Sequence, residues 1–388
     1  MDNQHQRRLA QSTPFYYGWV VLAVAALPSY SSRAVMSATT LSVFVVPMTD
    51  EFGWSRGLFS GALSLGGLCA VAISPIAGRL IDRHGSGVML AVTAALIGSF
   101  AVGLSVISQS WMFYSLYVPG RMLFASPQEL GTATAVSNWF IRRRPLALAL
   151  LGATQGTGLA AMPPIVQIII SGWDWRVAWA SIGVFTISVG VIPYLLMMVR
   201  RPEDVGLEAD PSPPRPPHVA GRLGGSGTGR SSAISENDFS VHEALRTRAF
   251  WVLAAFSAAG FVAQGGVSMH LVPHYINEGL APAKAVAMAS SFALSMVLGG
   301  FLWSSLSRWV PIRFLLAMAG LSIALGAAGA GASSTLLWGI VAASVFGAGI
   351  GSLHLMLRLV WADYYGRRNL GSIRGLTLPF QLGGQAVG

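Results

Sequence analysis

Two apolar runs separated by a short charged stretch set the strongest limit on how this chain can fold. Residues 58–77 and 88–107 are each about 20 residues long, the length that a helix needs to cross ~30 Å of hydrocarbon. Between them lies Gly78-Arg79-Leu80-Ile81-Asp82-Arg83-His84-Gly85, which is too short to be a domain and too charged to sit in lipid. We predict that this charged stretch is a turn at one membrane face, bent at its glycines, that joins two antiparallel spans.

The composition extends this interpretation to the whole chain. Hydrophobic residues make up 53% of the sequence and charged residues only 10%, whereas soluble domains carry about 25% charge. The sequence therefore predicts an all-α integral membrane protein. A first apolar run that is too long for a signal peptide, with no small-residue cleavage site after it, is read as an uncleaved first span.

The net charge of +10 reflects the membrane topology rather than a surface that binds nucleic acid. Of the 25 basic residues, nineteen fall in the amino-terminal tail or in alternate loops, and basic loops face the cytoplasm. We therefore expect a multi-pass protein of the inner membrane with a cytoplasmic amino terminus and no nucleic-acid partner. The nineteen are Arg7, Arg8, Arg79, Arg83, Arg142, Arg143, Arg144, Arg200, Arg201, Arg215, Arg222, Arg230, Arg246, Arg248, Arg308, Arg313, Arg367, Arg368 and Arg374.

The apolar runs divide the chain into two halves joined by a polar linker. Residues 1–14 form a tail, 15–200 hold six spans, and 201–248 are rich in Pro, Gly, Ser and charge. Such a linker buries too little apolar surface to fold alone, so we expect it to be largely disordered, with a surface helix starting near Ser240. Residues 249–388 hold four more spans and part of an eleventh. This predicts a six-plus-six plan cut short in the eleventh span.

Seven short motifs, together with the charged stretch, resemble one family in order and position. The spacing G-x-x-x-D-R-x-G of the charged stretch is similar to the signature of the major facilitator superfamily between its second and third spans. The other motifs resemble its bacterial monocarboxylate-porter-like group, which includes oxalate/formate antiporter-like proteins. They are YYGWVV at 16–21, EFGWSR at 51–56, WFIRRR at 139–144, GWDWR at 172–176, RPEDVGL at 201–207, HLVP at 270–273 and ADYYGRR at 362–368.

The resemblance implies a fold and a function. The family fold is two six-helix halves that rock about a central site, with the charged stretch as a cytoplasmic latch formed by Gly78, Arg79, Asp82, Arg83 and Gly85. Asp82 is expected to contact a neighbouring helix end or an arginine. The second-half copy of the latch, at 304–309, has no aspartate, so inward gating is expected to depend mostly on the first copy.

The leading hypothesis is proton-coupled secondary transport of a small organic anion by a monomer in the lipid bilayer. The expected substrate class is a monocarboxylate. Two alternatives stay open: a proton-coupled exporter of drugs or other small solutes, and a non-transporting membrane sensor. An enzyme is disfavoured, because the sequence has no HExxH, GxSxG or P-loop motif, and no metal or cofactor is expected.

Charged residues inside the spans are the candidates for the transport site, because each costs at least ~2.5–3.5 kcal/mol to insert. Arg33 lies roughly 21 Å beyond Trp19 along a helix, beside a polar face that includes Tyr30. A guanidinium fork suits a carboxylate, so Arg33 and Tyr30 are predicted to bind the substrate anion. The alternative for Arg33 is a structural ion pair within the first half.

Arg121 and Glu129 lie in the fourth predicted span, about 80° apart around the helix and ~12 Å apart along it, so they cannot pair with each other. Arg121 resembles a fourth-span arginine that the family ties to coupling, and the alternative is a hydrogen bond to a neighbouring helix. Glu129, close to Pro127, is the candidate proton carrier. Its alternative is pairing with a loop arginine near the cytoplasmic end.

The second half offers two further candidates. Arg358 lies in the tenth predicted span, where it is expected to provide the opposing side of the anion site, unless it extends toward the cytoplasm with help from Asp363. His270 lies in the seventh span with Gln264 nearby, and because histidine as a residue type titrates near neutral pH, it is predicted to bind substrate or proton. A packing role for His270 is equally open.

Overall fold

The computed structural model describes residues 9–210, 238–280, 282–333 and 335–387, and every regular element in these ranges is helical. Eight helices in the described part of the chain are long and apolar enough to cross a membrane, which confirms the predicted all-α membrane fold. These eight segments are Arg56–His84, Ser86–Leu104, Arg144–Gly172, Trp175–Met197, Arg248–Ser268, Ala287–Leu306, Ile312–Ala332 and Leu336–Tyr365.

The first half is a bundle of eight helices, which we call the first bundle. Its members, in chain order, are α1 Gly18–Val35, α2 Ala38–Phe52, α3 Arg56–His84, α4 Ser86–Leu104, α5 Ser110–Leu123, α6 Glu129–Trp139, α7 Arg144–Gly172 and α8 Trp175–Met197. A single π-helical turn, Phe124–Gln128, connects α5 to α6. Helix α4 packs along α8, and α1 packs against both α7 and α8.

The second half forms the second bundle. A short surface helix, α9 Val241–Arg246, precedes it, and its members are α10 Arg248–Asn277, α11 Pro282–Leu306, α12 Ile312–Ala332, α13 Leu336–Tyr365 and α14 Leu370–Val387. Helix α13 packs on α11 and α12, and α10 packs along α14. The two bundles meet where α3 contacts α14 and where α7 contacts α11 and α13.

The first predicted span, 17–46, is two helices rather than one, and the predicted outer loop at 47–56 is mostly helix. Helix α1 ends at Val35 and α2 begins at Ala38. The break arises because the Ser37 hydroxyl accepts a hydrogen bond from the Thr40 N–H at 3.1 Å and so caps a new helix. Helix α2 then runs through Pro47 to Phe52 and ends on Gly53 at φ +71°.

The charged stretch is also a helix end rather than a turn. Helix α3 continues through Gly78, Arg79, Asp82 and Arg83 to His84, and only Gly85, at φ +87°, breaks the helix before α4. Glycine suits this position because a side chain rarely adopts a positive φ. Gly78 has a different role, because a Cβ at this position would collide with the carbonyl group of Gly371 in α14.

Two arginines assigned to loops from the sequence lie inside the protein. Arg374 is in the second turn of α14 with 4% of its surface exposed, and Arg144 opens α7 with 1% exposed. The loop assignment was wrong because both residues follow short polar connections, and an arginine count does not distinguish a connection from the first turn of the next helix.

Both ends of the polar linker have regular structure, and its central part, 211–237, lies outside the described residues. A 3₁₀ turn at Pro202–Val205 follows the first bundle. On the other side, Ser240 and Glu243 form a capping box that starts α9, which confirms the surface helix predicted near Ser240. Asp238 then accepts hydrogen bonds from the N–H groups of Arg367 and Arg368, each 3.1 Å long.

Candidate functional site

A central cavity of about 310 Å³ lies between the two bundles. Its charged and polar lining comes from both of them, and two larger grooves of about 450 and 530 Å³ on other surfaces have no charged lining residue. The polar residues that line the central cavity are Ser37, Thr39, Arg121, Glu129, His354, Arg358, Gln381 and Gln385. The structure therefore brings three of the sequence-predicted residues, Arg121, Glu129 and Arg358, to one site.

Glu129 and Arg358 form an ion pair across the interface between the bundles. Arg358 Nε donates to Glu129 Oε1 at 3.1 Å and Arg358 Nη2 donates to Glu129 Oε2 at 3.2 Å. Arg358 Nη2 also donates to Gln155 Oε1 of α7 at 3.2 Å. The two charged side chains are only 11% and 15% exposed, so this pair is buried as well as bidentate.

A third charged group, which does not line the cavity, lies beside this pair. Arg374 Nη2 of α14 lies 3.7 Å from Glu129 Oε1. Glu129 is thus in contact with arginines of two helices of the second bundle. Of the alternatives open from the sequence, Glu129 pairs with arginines of the other half rather than with a loop, and Arg358 reaches Glu129 rather than Asp363.

Arg121 is held by the break in the first span. The Met36 carbonyl group, exposed by that break, accepts hydrogen bonds from Arg121 Nη1 at 3.2 Å and from the Tyr117 hydroxyl at 3.4 Å. The Arg121 guanidinium also lies 4.6 Å from the centre of the Phe124 ring. Arg121 therefore makes the hydrogen bond to a neighbouring helix that was its alternative role, while it also lines the central cavity.

The π turn explains why Glu129 reaches the interface. Pro127 has no N–H group to donate, so the helix widens at 124–128 instead of continuing as a regular α-helix. Gln128, in this turn, is fully buried and donates to Ser32 Oγ at 2.8 Å and to the Tyr194 hydroxyl at 3.1 Å. These bonds fix the turn within the first bundle and leave the next residue, Glu129, facing the second.

His270 is separated from this site. It is exposed and lines a groove of about 330 Å³ between α10 and α12, together with His274. Gln264, its expected neighbour, instead lies 3.0 Å from Nε2 of His354 in the central cavity. The reason is helical geometry: six residues at 3.6 per turn place His270 about 240° around α10 from Gln264, so the two side chains face different surfaces.

The remaining predicted ligands are Tyr30 and Arg33 of α1. Tyr30 packs its backbone and ring against Gly158 of α7 and does not line the central cavity. The side chain of Arg33 lies outside what the structure describes, so its role as a substrate ligand stays a prediction.

The latch residues lie at the arginine-rich end, which we define as the end of the molecule that holds Gly85, Arg144 and Arg367. Asp82 Oδ1 accepts a hydrogen bond from the Gly371 N–H at 2.9 Å, and Oδ2 accepts one from the Ser372 N–H at 2.6 Å. Asp82 thus caps the amino terminus of α14, where the helix dipole favours a negative charge. Arg79 and Arg83 are exposed. A gating role for these residues stays a prediction.

Other contacts join the bundles at the same end. Arg144 Nη1 donates to Asp363 Oδ1 at 2.7 Å, and Arg367 Nη1 donates to the Asn138 carbonyl group at 2.6 Å. Ser74 Oγ donates to the Gly375 carbonyl group at 2.7 Å. These contacts between described residues of the two bundles close the arginine-rich end.

Sequence reasoning missed Arg374, Gln155 and Arg144 as interface residues. For Arg374 a signal existed, because an apolar run that starts near Gly371 already includes it. Gln155 carried no such signal, since one uncharged polar residue in a glycine-rich span is ordinary. Its contact with Arg358 depends on how α7 and α13 pack together.

Comparison with known sequences identifies the family. The Major Facilitator Superfamily profile matches residues 24–388. Among curated relatives, monocarboxylate transporter 11 of Homo sapiens is 26% identical over 318 residues, which are 80% of this chain and 61% of that protein. Monocarboxylate transporter 12 of Rattus norvegicus is 28% identical over 208 residues, 52% of this chain and 40% of that protein. The chain thus spans less than two thirds of the length of these relatives.

Solved structures share the fold. The proton:xylose symporter XylE bound to 6-bromo-6-deoxy-D-glucose matches with a TM-score of 0.71 at 11% identity, over 95% of this chain and 86% of that one. The E. coli fucose:proton symporter FucP matches with a TM-score of 0.61 at 17% identity, over 95% of this chain and 89% of that one. Since the profile covers nearly the whole sequence and the two-bundle architecture agrees with it, the chain belongs to the Major Facilitator Superfamily of transporters.

Proposed function

We propose that this protein is a secondary active transporter that moves a small organic anion, of the monocarboxylate class, across the inner membrane by alternating access. The observation that carries the proposal is the central cavity, which presents Arg121 and Arg358 from opposite bundles. A guanidinium presents a fork of N–H donors that matches a carboxylate. At about 310 Å³ the cavity is of the size that binds small molecules.

The charge of the site favours an anion over a cation. Two arginines line the cavity together with one acid, Glu129. A third arginine, Arg374, lies 3.7 Å from that acid but does not line the cavity. The summed charge of these four side chains is therefore positive. The relatives named as monocarboxylate transporters support the same substrate class.

The direction of opening follows from the charge distribution. Basic loop residues face the cytoplasm, so the arginine-rich end is the cytoplasmic end in this proposal. The contacts of Asp82, Arg144 and Arg367 close that end, while the central cavity extends toward Thr39 and Gln385 on the other side. The described conformation then corresponds to the outward-facing half of the transport cycle.

Proton coupling is proposed to act through Glu129. As a carboxylate, Glu129 holds Arg358, and the substrate carboxylate would compete for the same donors. The displaced Glu129 carboxylate is then protonated, so that it no longer competes with the substrate for Arg358. One site would thereby tie the binding of a proton to the binding of an anion.

The test is uptake of labelled short-chain monocarboxylates into proteoliposomes, with and without an inward proton gradient. Arg358→Gln and Arg33→Ala are measured beside the wild-type protein. Arg313→Gln is the matched control, because Arg313 is an exposed arginine of the second bundle. We expect saturable uptake that the gradient increases, with a loss of about tenfold or more in Arg358→Gln, the effect of losing one charge-assisted contact of ~1.5–3 kcal/mol.

The outcomes separate the parts of the proposal. Normal uptake by Arg358→Gln would discard the site and keep the transporter. Normal uptake by Arg33→Ala would remove Arg33 from the substrate ligands. Absence of uptake for every carboxylate, in vesicles that contain folded wild-type protein, would refute the anion substrate.

A further inference from the structure

The two arginines that contact Glu129 are not equivalent. Arg358 makes two hydrogen bonds to the Glu129 carboxylate, at 3.1 and 3.2 Å, one to each oxygen. Arg374 approaches the same carboxylate only to 3.7 Å, beyond hydrogen-bond distance. Of these two arginines, only Arg358 is therefore hydrogen-bonded to Glu129, while Arg374 lies close to it without a hydrogen bond.

Access to the two arginines also differs. Arg358 lines the central cavity and a second cavity of about 160 Å³ between α7, α11 and α13. Arg374 lines neither of these cavities, and only 4% of its surface is exposed. An anion that enters the central cavity consequently meets Arg358 and cannot reach Arg374 without a rearrangement.

Arg374 has an unused donor. Its Nη1 is buried and has no hydrogen-bond partner among the described residues. A buried donor without a partner costs about 1–3 kcal/mol, more for a charged group. The protein is therefore stabilised whenever an acceptor comes within reach of this guanidinium. Glu129 is one such acceptor, since its Oε1 lies 3.7 Å from Nη2 of the same guanidinium.

We propose that Arg374 is a positioning residue that takes over Glu129 when an anion in the central cavity occupies Arg358. This inference rests on the proposed function, because it needs an anion to compete for Arg358. Glu129 then passes from one arginine of the second bundle to the other and keeps its contact with that bundle. The bundles stay joined at the arginine-rich end while the substrate binds, and they separate there only after Glu129 is neutralised.

The groups around Glu129 are consistent with this exchange. Helix α13 contributes Arg358, α14 contributes Arg374, and α7 contributes Gln155, which bonds Arg358 Nη2. With two guanidinium groups against one carboxylate, the cluster carries one excess positive charge. An incoming carboxylate balances that charge, and the bound state then contains two guanidinium–carboxylate pairs in place of one.

The first test compares binding with transport in Arg374→Gln. Equilibrium binding of the labelled monocarboxylate is measured on purified full-length protein, and uptake is measured in proteoliposomes. Because Arg374 does not line the cavity, we expect Kd to stay within about threefold of wild type while the uptake rate falls about tenfold, as a weakened interface shifts the population of the closed state. Arg374→Lys keeps the charge and should recover part of the rate.

Two further variants are the controls. Arg358→Gln should lose binding itself, and Arg313→Gln should change neither quantity. Loss of binding in Arg374→Gln as large as in Arg358→Gln would make Arg374 a substrate ligand and overturn the proposal. So would wild-type uptake by Arg374→Gln.

A second test compares the empty protein with the substrate-bound protein. Ala77 of α3 is buried in one cluster with Leu378 of α14, so Ala77→Cys, in a Cys69→Ala background, reports opening between the bundles. With saturating monocarboxylate we expect maleimide labelling at this position to be about threefold faster in Arg374→Gln than in the wild type, since Glu129 then lacks a second guanidinium and the closed state is less favoured. Without the anion the two proteins should label alike, because Arg358 holds Glu129 in both. Equal labelling of the two proteins with the anion bound would refute the positioning role. Absence of carboxylate binding by folded wild-type protein would refute the substrate class of the proposed function, and with it the exchange.

Discussion

Arg358 of α13 and Glu129 of α6 pair across the interface between the two bundles, with their closest charged atoms 3.0 Å apart and both side chains at least 85% buried. A buried charge is stable only while its partner stays in place. The pair therefore joins the two bundles at the lining of the central cavity. A change in either charge alters both the cavity and the contact between the halves.

Neutralising Glu129 alone should destabilise the protein more than neutralising both members of the pair. Glu129→Gln leaves Arg358 and Arg374 without a counter-charge, and removing one partner of a buried pair costs about 3–5 kcal/mol. The double variant Glu129→Gln/Arg358→Gln removes one of those guanidinium groups and should recover part of this loss. Thermal unfolding in detergent is measured for the wild type, the two single variants Glu129→Gln and Arg358→Gln, and the double variant, which together form a double-mutant cycle. Additive effects of the two substitutions would contradict a direct pairing.

Gly78→Ala should separate α3 from α14. A Cβ at Gly78 would collide with the Gly371 carbonyl group, so the helices must move apart. Gly67→Ala in the same helix is the matched control, because nothing lies within 4 Å of its added Cβ. We expect Gly78→Ala to lower the midpoint of thermal unfolding and Gly67→Ala to leave it unchanged or slightly raised, since alanine favours helix by about 0.8–1 kcal/mol over glycine.

Asp82→Asn should weaken closure of the arginine-rich end. The carboxylate makes two charge-assisted bonds to the first N–H groups of α14, and the amide retains at most one acceptor oxygen and no charge. Labelling of the Ala77→Cys reporter should rise by about tenfold, the effect of ~1.4 kcal/mol. Arg313→Gln serves as the control because Arg313 is an exposed arginine outside the latch. Equal labelling in the two variants would show that the carboxylate does not hold this end closed.

Tyr16 offers a test outside the spans. Its hydroxyl accepts a hydrogen bond from the Asp210 N–H at 2.9 Å and donates to the Trp139 carbonyl group at 2.5 Å, so it fixes the start of the linker to the first bundle. Tyr16→Phe leaves both groups without this partner and should cost about 1–3 kcal/mol. Tyr364→Phe, at a tyrosine that is 40% exposed, should cost little. Equal unfolding midpoints for the two variants would contradict this.

The same tyrosine predicts a loss of stability at high pH. Burial raises the pKa of Tyr16 from its ordinary 10.0 to about 12. Between these values the unfolded chain releases the proton and the folded protein keeps it, so the contribution is fully present below pH 10 and is lost as the pH rises toward 12. Tyr16→Phe should remove this part of the pH dependence, which unfolding measured between pH 9 and 11 would detect.

Most of the fold could be predicted from the sequence, while the site was only partly predictable. Most of the spans and the helix after Ser240 follow from local patterns, and the structure places helices at these positions. The charged stretch, predicted as a turn, is instead the end of α3. Arg121, Glu129 and Arg358 were singled out because charges in apolar runs are costly. Their partners were not predictable, since Arg358 and Glu129 are 229 residues apart in the chain. His270 satisfied the same local criteria as Arg358 yet lies on a different face of its helix, away from the cavity.

The sequence by itself determined which segments are long and apolar enough to enter the membrane, where most of the arginine-rich loops lie, and the family motifs. These properties depend on runs of about 20 residues and on charges in short loops, so neighbouring residues suffice to specify them. Only the tertiary structure decided that Asp82 caps α14, that Met36 offers its carbonyl group to Arg121, and that Arg374 is buried beside Glu129. Each of these contacts joins helices that are distant in the chain, and their geometry is fixed by how the two bundles pack.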